Sequence, residues 1–150
     1  MAVTASGLFG ITLKGSLNNT SALDLEAEDM KVAMITDSAT PDFDAHDFWA
    51  DLSANEVSGT GYTAGGQLLA TTTLTVGSPA AGQLKWDAVD AAWTTSTITS
   101  AMASVVYADA IASDPLVALH DFVTAASTTA GTFTIQWNAS GLAYFDYTPA

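Results

Sequence analysis

Apolar and polar positions alternate along most of this chain. Phe9, Ile11 and Leu13 interleave with Gly10, Thr12 and Lys14, and Leu84, Lys85 and Trp86 repeat the pattern. A period of two sends successive side chains to opposite faces of a strand. Residues 31–36 form a short apolar run suited to a buried strand, and residues 68–76 form a threonine-rich one. Residues 97–107, 116–123, 132–137 and 142–145 complete the series, rich in the β-branched and aromatic types that strands favour. Turn-forming residues punctuate it: Gly77-Ser78-Pro79, Ala80-Ala81-Gly82 and Ser113-Asp114-Pro115, with residues 127–131 and 138–141 reading as hairpin loops. About eight closely spaced strands predict an all-β fold, a β-sandwich or jelly roll. One short helix is expected over residues 45–52, capped by Asp44, with Phe48, Trp49 and Leu52 on the face that packs on the sheet. A further turn is expected within residues 24–30. No linker-like stretch divides the 150 residues, so a single domain is predicted.

Composition narrows the possible partners. The chain is 49% hydrophobic and 13% charged, so its exterior must be built largely from Thr, Ser, Asn, Gln and Ala. Lys14, Lys31 and Lys85 are the only basic residues against sixteen carboxylates, a formal net charge of −13. Nucleic-acid binding needs cations to displace phosphate counterions, and anionic membranes need them too, so neither partner is expected. Ten of the acids fall within residues 24–56, so one flank is expected to carry much of the negative potential. Cysteine is absent, which leaves stability to packing and assembly. Residues 1–6 carry no basic n-region and no apolar run reaches membrane-spanning length, so the chain is expected in a cytoplasm unless other machinery moves it.

Candidate chemistry is sparse. Residues 56–66 pack Gly59, Gly61, Gly65 and Gly66 around Tyr62. Gly59-Thr60-Gly61-Tyr62-Thr63-Ala64 fits a relaxed dinucleotide pattern, but that pattern requires a following helix, and residues 68–76 read as strand. A glycine-rich architectural turn is expected instead. Asp42, Asp44, His46 and Asp47 lack the glycine pivot and terminal glutamate of a calcium loop, and read as solvated acids at a helix start. Asp87 and Asp90 form a similar pair, which reads as a turn. His46 and His120 stand in no nucleophile context, so no catalytic residue, metal or cofactor is predicted. Of four tryptophans, Trp86 and Trp137 are expected in the core. Trp93, in a loop-like stretch, is the candidate interface residue, with Tyr144 and Tyr147 forming either part of a last core strand or a docking tail.

The segment Asn55-Glu56-Val57-Ser58-Gly59-Thr60-Gly61-Tyr62-Thr63-Ala64-Gly65-Gly66, following Phe48-Trp49, resembles a motif of small virion structural proteins of tailed bacteriophages. Further motifs match in the same order: Lys31 to Ala33, an Asp-Ala-x-Asp turn at Asp87 to Asp90, Trp93 to Thr99, Val105 to Tyr107, and Gly131 to Trp137. The chain departs from that pattern after Thr99, where a basic residue is expected and none stands. The resemblance implies membership of a virion, most of all as a multicopy capsid decoration (cement) protein. Its partners would be the major capsid protein or other virion proteins, with copies associating as homo-oligomers. Its locations would be the host cytoplasm during assembly and then the particle. A tail, neck or fibre-associated protein is the near alternative. A carbohydrate- or receptor-binding module using Trp93 and Tyr62 as stacking platforms is the more distant one.

Overall fold

A computed structural model describes residues 3–27 and 29–148. The fold is all-β, with two antiparallel sheets and one short helix. Its elements are β1 (Gly7–Leu8), α1 (Gly10–Leu17), β2 (Met30–Ile35), β3 (Gly59–Thr60), β4 (Gln67–Leu68), β5 (Thr73–Val76), β6 (Gln83–Asp87), β7 (Ala91–Ala108), β8 (Leu116–Ile135) and β9 (Ala143–Asp146). The larger sheet runs β1-β8-β7-β2-β4, with β3 also on β7; the smaller runs β5-β6-β9. No helix among the described residues is long and apolar enough to cross a membrane.

Residues of β2 alternate between two cores. Met30, Val32 and Met34 face a cluster shared with the smaller sheet and containing Trp86, Trp93, Ile98, Val106 and Phe133. Ala33 and Ile35 face the opposite side with Phe9, Trp49, Leu52, Val105, Tyr107, Leu116 and Leu119. A strand covered on both faces reads as a continuous apolar run, which is why residues 31–36 lack alternation. Each large side chain so buried stabilises the fold by about 1.5–3 kcal/mol.

The helix is not where the pattern predicts it. Gly10–Leu17 is helical, with Thr12 buried and Ile11 exposed, although the alternation from Phe9 to Leu13 suggested a strand. Over so few residues, Phe9 and Leu13 satisfy an i, i+4 spacing as well as a period of two. Residues 45–52 instead form a turn followed by a single 3-10 turn at Trp49–Asp51. Straps to the β7–β8 connection hold this segment: Trp49 N–H donates to the Asp114 carbonyl (2.9 Å) and Leu116 N–H to the Asp47 carbonyl (2.8 Å). Asp44 caps nothing there; Asp51 Oδ2 accepts the Asp47 and Phe48 amides, both at 3.1 Å. Trp49 and Leu52 are buried as expected, whereas Phe48 is exposed. The turn expected within residues 24–30 is present at residues 25–27, with Asp24 Oδ1 accepting the Glu26 and Ala27 amides; Glu28 lies outside the described residues. The threonine-rich run 68–76 is broken between β4 and β5, where Thr71 takes a left-handed backbone (φ 54°).

β7 and β8 form one long bulged ribbon, and residues 127–131 lie inside β8 rather than in a hairpin loop. Four left-handed residues, Thr95, Ser100, Val123 and Ala130, sit at successive shifts of register. An extra residue breaks the ladder at a bulge and leaves backbone groups to be satisfied elsewhere. Short polar side chains do so here. Thr97 Oγ1 accepts Ala130 N–H (3.0 Å), Ser127 Oγ accepts Ser100 N–H (2.9 Å), and Asp121 Oδ1 accepts Val123 N–H (2.7 Å). Buried Ser96 donates to the Trp93 carbonyl (2.9 Å). The Ser/Thr/Gly composition that signals a loop is therefore the composition a bulged ribbon requires.

Candidate functional site

The glycine-rich segment is a strap across the larger sheet. It leaves Glu56, which bridges Ile35, pairs through β3 with Thr97 and Ile98 of β7, turns, and returns through β4 to pair with β2. Gly66 (φ 75°) makes the return: a Cβ there would run into the Val32 carbonyl and Ala33 Cα. At Gly59 a Cβ would overlap the Thr97 carbonyl oxygen. Only glycine allows both approaches. Gly61 and Gly65 also have left-handed backbones, at φ 74° and 84°.

Three side chains clamp the strap. Glu56 Oε1 accepts the Tyr62 hydroxyl and the Gly65 amide, each at 2.7 Å. The Tyr62 hydroxyl in turn accepts Met34 N–H from β2 (3.0 Å). Tyr107 donates its hydroxyl to the Gly65 carbonyl (2.6 Å) and stacks on Trp49, with ring centroids 5.1 Å apart and planes 2° from parallel. Burial pushes the Tyr62 hydroxyl far above its ordinary value, with the Glu56 hydrogen bond adding to the rise and the Met34 amide opposing it. Burial likewise raises Tyr107, with Asp109 the next contribution. Both phenols therefore stay protonated and remain donors at physiological pH. The arrangement holds backbone in place and offers no helix N-terminus to a phosphate.

Trp93 is packed within its own chain and not set in a loop. It lies within β7, only 5% exposed, with its ring beside Tyr62 (5.8 Å) and edge-on to Phe133 (6.4 Å). Its flanking alanines and threonines are strand residues around the bulge at Thr95, not a loop. Tyr62 is hydrogen-bonded to Glu56 and packs on this buried ring. Trp86 is fully buried and donates its indole N–H to the Leu25 carbonyl (3.1 Å). Trp137 is half-buried against the same core, its indole bound to the Val89 carbonyl (3.2 Å). Tyr144, on β9, and Tyr147, just beyond it, are 48% and 53% exposed and remain surface aromatics.

The acidic candidates are engaged locally. Asp42 Oδ1 accepts the Asp44 and Ala45 amides (3.0 and 3.1 Å), and the Asp42 amide donates to His46 Nδ1 (3.3 Å). Asp87 pairs with Lys85 (2.7 Å) and Asp90 accepts the Trp137 amide (3.0 Å). Among the described residues no group of three or more such side chains is arranged to hold a metal. His120 donates Nε2–H to the Leu142 carbonyl (2.7 Å) and packs on Trp137; burial lowers its pKa, with the Leu142 bond opposing.

Glu56 stands inside the motif, but nothing in the sequence links Gly65 to Tyr107, some forty residues downstream, because that contact depends on the register between β2 and β7. No family model matches the chain, and no curated protein or solved structure matches it significantly.

Proposed function

We propose that this chain is a structural protein of a tailed-phage virion, serving as a multicopy capsid decoration protein docked on the major capsid protein. What carries the reading is the resemblance of the ordered motifs from Lys31 to Trp137 to those of small virion proteins. The roles of those motif residues here are consistent with it: Gly59, Gly66, Glu56 and Tyr62 build a strap, while Trp93 and Tyr107 build core. Residues in such roles fix a shape, which is what a lattice component must present.

Surface chemistry supports docking to protein. Two of the three lysines are tied into ion pairs, Lys31 with Asp109 (2.9 Å) and Lys85 with Asp87 (2.7 Å), so little free positive charge is left for phosphate. Exposed Leu68, Val76, Val89, Val123, Tyr144 and Tyr147 supply neutral contact surface. The acidic flank steers the protein toward basic patches.

Quantitative mass spectrometry of purified virions tests this. A copy number in simple proportion to the major capsid protein is the expected result. A ratio far below it places the chain at the neck, tail or fibres, and absence from particles removes the structural reading altogether.

A further inference from the structure

A cavity of about 570 Å³ opens between α1, the strand β8 and the smaller sheet. Protein interiors leave few voids larger than a water molecule, and small-ligand sites have volumes of about 300–1,000 Å³. Leu13 and Leu17 of α1, Leu25, Val117, Trp86 and Phe145 make the wall apolar. Three polar residues stand among them, and two are already committed: Ser16 Oγ donates to the Thr12 carbonyl (3.0 Å), and Asp24 Oδ1 accepts the Glu26 and Ala27 amides. The third is Thr12. It is 6% exposed and its hydroxyl has no hydrogen-bond partner. A buried hydroxyl left unpaired is costly, and helical threonine divides between two χ1 rotamers, so a ligand atom can draw the hydroxyl into the cavity. No cation lines the wall, and Asp24 with the −13 net charge repels anions.

We propose that this cavity binds a small, uncharged, mainly aliphatic molecule carrying one polar oxygen, which pairs with the Thr12 hydroxyl while its hydrocarbon packs on Leu13, Leu17 and Phe145 above the buried Trp86. The site is independent of the virion reading and stands or falls by itself.

The test is a titration of isotope-labelled full-length protein with octanol and with octanoate, following the indole N–H resonances. Trp86 reports on the cavity, and Trp49, in the opposite core, is the control. The expected result is a saturable shift of Trp86 with octanol, at least ten-fold weaker with octanoate, and no shift of Trp49. Thr12→Val should weaken octanol about five-fold through loss of one hydrogen bond. Ser16→Phe, filling the cavity from α1, should abolish the shift while leaving the Trp49 resonance in place. The proposal is overturned if neither probe shifts Trp86, or if octanol binding survives Ser16→Phe. A Trp86 shift produced by raising protein concentration alone would assign the cleft to a second copy and overturn it equally.

Discussion

Glu56 and Tyr62 are joined side chain to side chain at 2.7 Å, and the same carboxylate oxygen accepts the Gly65 amide. One acid thus fixes both the aromatic and the turn of the strap. Glu56→Ala should destabilise the protein by about 1–3 kcal/mol, because a part-buried hydroxyl and an amide lose their acceptor together. In a double-mutant cycle with Tyr62→Phe the coupling should be about 0.5–3 kcal/mol, measured by urea unfolding. Additive losses would show that the two side chains act separately.

Gly66→Ala should prevent soluble folding, since its Cβ meets the backbone of Val32 and Ala33 at a left-handed φ of 75°. Gly77 has a similar φ of 74° but open space around its Cβ, so Gly77→Ala should cost only about 1 kcal/mol. Comparing the thermal melts of the two variants separates steric closure from backbone strain. Equal effects would mean that the close approach to Val32 is unimportant.

Most strands were legible because burial imposes a readable period: residues 31–35, 84–86 and 97–107 all lie in strands. The turn around Pro79 and the connection at Ser113-Asp114-Pro115 also fall where turn chemistry put them. What failed depended on distant partners. Residues 127–131 look like a loop until Thr97 and Ser100 of β7 supply hydrogen-bond partners. Residues 45–52 look helical until the β7–β8 connection straps them down. The cavity was invisible because reading residues 9–13 as strand removes the helix that walls it.

Stability should fall in two separable steps on acidification. His120 has a folded pKa below its ordinary 6.5, caused by burial. Below pH 6.5 the unfolded chain takes up a proton that the fold resists, so the stability present above that value is lost as pH falls toward the folded pKa. Asp51 is held below its ordinary 3.8 by the Phe48 and Asp47 amides, so its contribution is lost only as pH falls below 3.8. His120→Gln should flatten the upper step and Asp51→Asn the lower, read from urea midpoints across pH. An upper step unchanged in His120→Gln would mean another group causes it.

Tyr144 and Tyr147 are about half exposed, so neither is part of the buried clusters. The variant carrying Tyr144→Ala and Tyr147→Ala should keep the wild-type melting temperature within a few degrees yet bind decoration-free phage heads less tightly, as measured by co-sedimentation. Attachment should weaken only modestly with salt, because neutral contacts release few counterions. Wild-type affinity in the variant would place the docking face elsewhere.

Cryo-electron microscopy of the intact virion tests the central claim most directly. The account predicts density for this fold repeated over the outer surface of the head, seated on the major capsid protein, with Trp93 enclosed in its own chain and the acidic flank turned to solvent or a basic groove. Density confined to the tail, or no density for this chain anywhere in the particle, would contradict it.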